Sequence, residues 1–162
     1  MNVEATAVHG TVGVVLLALV LTGPYGPIDA TASPSDGFGS GEGTADVRDV
    51  RLPEAATLER GRYGETAYAL SVPPATATVT GVTGRPILVY EVRIADLGYS
   101  RVSLTSLDAG VDGRVRLTVA ADAFAPDRID RRRYEATVSV TLRSGEERTV
   151  VDRATVPVEV IG

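Results

Sequence analysis

Residues 134–142 read YEATVSVTL, and residues 154–160 read ATVPVEV. In both stretches an apolar residue stands at every second position. Successive side chains of a strand point to opposite faces, so each stretch is a β-strand with one dry and one wet face. Tyr134, Ala136, Val138, Val140 and Leu142 form one dry face, and Ala154, Val156, Val158 and Val160 form the other. Ser144-Gly145 between them is a hairpin signal. Pro157 has no amide to donate, which predicts that the last strand is an edge or is bulged there.

The same period runs back through the chain. Tyr68, Leu70 and Val72 alternate with Ala69 and Ser71. Leu88, Tyr90, Val92 and Ile94 alternate with Glu91 and Arg93, which leaves Ile87 and Val89 as a small apolar patch on the outer face. Val102 and Leu104 form a dry face against Ser103 and Thr105, and Val115, Leu117 and Val119 form one against Arg116 and Thr118. A weaker strand spans Thr76–Val82. About seven amphipathic strands in about a hundred residues must pair their dry faces, and an all-β antiparallel sandwich does so. Pro53 and Gly61 bracket a stretch with the start and stop signals of one short helix.

One segment points to a type of sandwich. Asp130-Arg131-Arg132-Arg133-Tyr134-Glu135-Ala136-Thr137-Val138 resembles the immunoglobulin-family segment D-x-x-x-Y-x-C-x-V. The resemblance implies an immunoglobulin-like or fibronectin-type fold. It makes Tyr134, with Asp130, a structural tyrosine corner whose hydroxyl bonds to upstream backbone. Ala136 occupies the place of the disulfide cysteine, and the chain has no tryptophan. An ordinary core tyrosine in another sandwich is the alternative.

The N-terminal residues follow a different rule. Val12–Leu21 (VGVVLLALVL) is wholly apolar but for Gly13, and no Asp, Glu or Arg lies between Glu4 and Asp29. About 20 residues of helix cross a bilayer, and about 7–15 apolar residues suffice for a secretory signal. Residues 1–23 are therefore expected to be a hydrophobic helix acting as a signal anchor or a signal peptide. Residues 24–44 (PYGPIDATASPSDGFGSGEGT) are rich in Gly, Pro, Ser and Asp and read as a flexible linker. Residues 45–162 are left as the β-sandwich domain. The first arginine is Arg48, so loop charge does not orient the segment.

Composition narrows the chemistry. The 162 residues carry a net charge of −5, with no cysteine, lysine or glutamine. The pattern resembles haloarchaeal exported or membrane-anchored sandwich proteins. The sandwich region is nearly neutral, holding 17 acidic residues and 16 arginines. Nucleic acid is not expected as a partner, since Arg131-Arg132-Arg133 alone suggests a basic face. The single histidine, His9, lies in the apolar segment. A Ser-His-Asp triad and histidine-held zinc are thus excluded from the domain.

No catalytic residue, metal site or cofactor is expected. Calcium has weak candidates in Asp122, Asp127 and Asp130 and in the pair Asp108 and Asp112, which do not follow EF-hand spacing. Gly61-Arg62-Tyr63-Gly64 reads as a turn or a contact surface. The expected function is a non-catalytic interaction or structural module of the cell envelope, exported or membrane-tethered, with a protein partner there. One alternative is an accessory subunit of a surface assembly, similar to the archaellum-stator sandwich proteins. The other is a hydrolase working through two carboxylates.

Overall fold

The structure is a computed structural model that describes residues 41–61 and 66–162. The expected N-terminal hydrophobic helix, most of the linker, His9 and Arg62-Tyr63-Gly64 lie outside those residues. Among the described residues no helix is long and apolar enough to cross a membrane.

The alternating segments form strands that assemble into two sheets. The first is three-stranded, in the order β1 (Gly43–Arg51), β4 (Ala75–Gly84), β7 (Gly113–Leu117). The second has seven strands. Its order is β6 (Tyr99–Ser106), β5 (Ile87–Ile94), β9 (Arg133–Ser144), β10 (Glu147–Ile161), β2 (Ala56–Arg60), β3 (Tyr68–Ser71), β8 (Asp122–Phe124). Inward residues of both sheets form one core. Leu88, Tyr90, Val92 and Ile94 of β5 and Tyr134, Ala136, Val138 and Val140 of β9 are buried. Ala75 and Val79 of β4 and Leu117 of β7 meet them from the smaller sheet. The protein is an all-β sandwich.

The hairpin signal at Ser144-Gly145 joins β9 to β10, with Ser144 paired to Glu147. Gly145 has φ 62°, while Glu146 does not take positive φ. Glycine first in a two-residue loop is the II′ arrangement, whose twist matches that of paired strands. In β4, Ala75, Ala77 and Val79 are buried, but the next buried residue is Val82. Gly81, at φ 61°, adds one residue and restores the apolar side to the core.

Several expectations are corrected. The segment read as a short helix contains β2 instead. The eight residues Pro53–Arg60 are too few for a helix to stabilise itself. As a strand, Ala56 and Leu58 enter the core, with β10 parallel on one side and β3 antiparallel on the other. β10 is not an edge, because it lies between β9 and β2. Pro157 pairs with Glu135 of β9, and the β2 ladder begins only at Val158, so the missing amide removes no bond to β2. Strand β6 has the opposite phase from the one expected. Ser103 and Thr105 lie over Tyr90 and Leu88 on the inner side, while Val102 and Leu104 face outward, 50% and 54% exposed. Ile87, expected in an exposed patch, is buried beside Gly41.

Candidate functional site

The end of the sandwich where β9 begins is held by polar contacts. The Tyr134 ring is buried and its Oη accepts the backbone N–H groups of Asp130 (2.9 Å) and Arg131 (3.1 Å). The same hydroxyl donates to Asp130 Oδ1 at 2.8 Å. Three bonds on one hydroxyl fix the turn that delivers Arg131 and Arg133. Arg131 pairs with Asp96, in the 3-10 turn Ala95–Leu97, and its guanidinium lies 5.9 Å from the Tyr134 ring centroid. Arg128 donates to the Leu97 carbonyl and stacks over Phe124 at 5.3 Å.

The two ends of the large sheet meet through side chains at this same end. Tyr99 of β6 packs edge-on against Phe124 of β8, with ring centroids 5.2 Å apart, and its Oη donates to Asp122 at 2.9 Å. Arg101 lies 3.5 Å from the same carboxylate. Burial and the bond to Asp122 push the Tyr99 hydroxyl up to about 12. Burial does the same to Tyr90, whose Oη lies 3.5 Å from the Pro73 carbonyl.

These contacts occupy the residues read as calcium candidates. Asp122 is held by Tyr99 and Arg101, Asp130 takes the Tyr134 hydroxyl, and Asp108 faces Arg85 at 3.4 Å. Asp127 sits exposed in the 3-10 turn Pro126–Arg128. Among the described residues no three acidic side chains gather where a metal ion would fit.

A different site lies on the outer face of the large sheet. Register places Glu91, Ser139 and Arg153 in one row across β5, β9 and β10, with Arg93, Thr137 and Thr155 in the next. Arg131, Arg133, Glu135 and Asp96 close the end nearest Tyr134. Together they line an open groove of about 720 Å³. Ser139 is its floor and is 5% exposed despite facing away from the core. Arg131 is paired with Asp96. Arg93, Arg133 and Arg153 are exposed and form no ion pair among the described residues. Guanidinium groups present planar, paired donors that match carboxylate, sulfate or phosphate oxygens. The hydroxyls of Ser139, Thr137 and Thr155 add donors and acceptors between them.

The groove is not visible as a motif. Ser139 and Arg153 face each other across the β9–β10 hairpin, but Arg93 is far from both in sequence, and only the β5-β9 pairing brings it to them. The arginine run at 131–133 was the one local signal, and it supplies two of the four walls. No protein-family model, curated protein sequence or solved structure matches the chain.

Proposed function

We propose that the chain is a non-catalytic interaction module of the cell envelope, exported or held at the membrane by residues 1–23, that binds an anionic partner through the arginine-walled groove. The groove carries this reading. Three arginines without acidic partners among the described residues surround a hydroxyl floor on a sheet face that the core does not use. Glu91 and Glu135 share the site, so it suits carboxylates spaced by hydroxyl groups better than a uniformly dense polyanion. An acidic polysaccharide has that chemistry. The apolar run Val12–Leu21 supports the location.

Within this reading the sandwich is immunoglobulin-like. The pairing orders β1-β4-β7 and β5-β9-β10 correspond to the A-B-E and C-F-G strands of that fold, and Tyr134 bonds upstream backbone as a tyrosine corner does.

Titration of the full-length chain in detergent with a polyuronate, and with an uncharged glucan, tests the proposal. Polyuronate binding is expected to weaken with salt, because exposed charges are screened over about 10 Å at 0.1 M. The double variant Arg93→Ala/Arg153→Ala should bind at least about tenfold more weakly, about 1.4 kcal/mol. Equal binding of both polymers, or an unaffected double variant, overturns it.

A further inference from the structure

Among the described residues the two sheets have four edge strands, of which β6 and β8 touch through the side chains of Tyr99, Arg101, Asp122 and Phe124 but share no ladder, and natural sheets protect edges against pairing with another chain. Three edges here carry a protective device. β1 is interrupted by register shifts at Thr44/Asp46 and Arg48/Arg51, has Asp49 at φ 48°, and bears four charges. β7 presents exposed Arg114 and Arg116. β8 has only three residues. β6 differs from all of them. It runs for eight residues (YSRVSLTS), pairs with β5 without a register shift, and contains no proline and one charge, Arg101. Two of the four large exposed apolar residues among the described residues, Val102 and Leu104, stand on it.

We propose that β6 is an assembly edge that pairs antiparallel with β6 of a second copy, about a two-fold axis at Ser103. The residue pattern selects this occupant. Centred on Ser103, the pairing sets Val102 opposite Leu104 of the other copy, and Leu104 opposite Val102. Arg101 faces Thr105, so the one charge on the strand does not meet itself. Cross-strand apolar pairs stabilise such a ladder, and the twofold repeats them. An isologous contact of this kind closes at two copies and does not propagate. Its axis is perpendicular to the sheet, so the outer faces of both copies lie on one side. Two grooves then face the same way, which raises avidity for a repeating polymer.

Cysteine cross-linking tests the register, since the native chain has no cysteine. Directly opposed residues lie about 4.5–5.5 Å apart between Cα atoms, within disulfide reach. Ser103→Cys in the full-length chain should oxidise to a covalent dimer. Thr105→Cys should not, because its copy lies four residues away along the strand, about 13 Å. Val102→Lys, at an exposed position, should abolish the Ser103→Cys cross-link while leaving the thermal transition in place. Equal cross-linking at 103 and 105 indicates association through another part of the chain and overturns the proposal. So does a Ser103→Cys protein that stays uncross-linked and monomeric by light scattering.

Discussion

Replacing Tyr134 by Phe removes one oxygen and leaves the buried ring in place, so the change isolates the polar contacts. That oxygen accepts two backbone amides and donates to the Asp130 carboxylate. A neutral hydrogen bond contributes about 1 kcal/mol net and one to a charged group about 1.5–3 kcal/mol. The unrelaxed sum is about 4 kcal/mol. The Asp130 side chain is 72% exposed, so water can reach the carboxylate and part of the freed turn. That rehydration brings the expected loss to about 2–3 kcal/mol. With about 2.1 cal/mol/K of unfolding entropy per residue, a domain of this size loses about 4 °C per kcal/mol. Calorimetry should therefore show Tm falling by about 8–12 °C. Asp130→Ala removes the shared carboxylate bond together with the exposed 3.8 Å contact to Arg131, and the double variant should show a coupling of about 1 kcal/mol between positions 130 and 134. A Tyr134→Phe loss below about 0.5 kcal/mol, with additive single changes, refutes the view that this hydroxyl holds the turn.

Gly43 has φ 124°, and a Cβ there would lie 1.9 Å from the Thr83 carbonyl oxygen, so Gly43→Ala should cost more than about 3 kcal/mol in urea unfolding. Gly81→Ala, at φ 61° with nothing within 4 Å, should cost only the left-handed strain of about 1–2 kcal/mol. Leu58→Ala empties a fully buried position on β2 and should cost about 3–5 kcal/mol, whereas exposed Glu59→Ala should stay within about 0.5 kcal/mol. Tyr90 and Tyr99 have hydroxyls raised from 10.0 to about 12, so the folded protein holds those protons more tightly than the unfolded chain. Their contribution to stability is complete below pH 10 and is lost as pH rises from 10 to about 12, with less from Tyr99 because it is partly exposed. Absorbance at 295 nm should show two tyrosines ionising late in the native protein, and a single transition near pH 10 for all of them would contradict this.

Much of the fold was legible because burial on one face imposes a period of two. Residues 88–94 and 134–140 show it without interruption, and both became central strands. The signal misled where local rules and tertiary pairing disagree. Pro53 and Gly61 bracket a helix by local chemistry, yet burying Ala56 and Leu58 in the core outweighs what an eight-residue helix gains on its own. In β6 the apolar residues are on the wet face, so alternation predicted a strand but assigned its sides wrongly. Pro157 proved compatible with a central strand because the neighbouring ladder starts one residue later. Tyr134 was identifiable from its own segment, since its bonding partners lie within four residues. The groove was not, since no local pattern records that β5, with Glu91 and Arg93, lies beside the β9–β10 hairpin.

Under the proposed function the sandwich lies outside the cytoplasm, where an anionic envelope polymer is available to the groove. Protease shaving of intact native cells, followed by detection of fragments from residues 45–162, tests it most directly. The domain should be released or cleaved from outside while a cytosolic marker stays intact. A domain that is cut only after lysis, and that fractionates with the soluble cytosol, contradicts it.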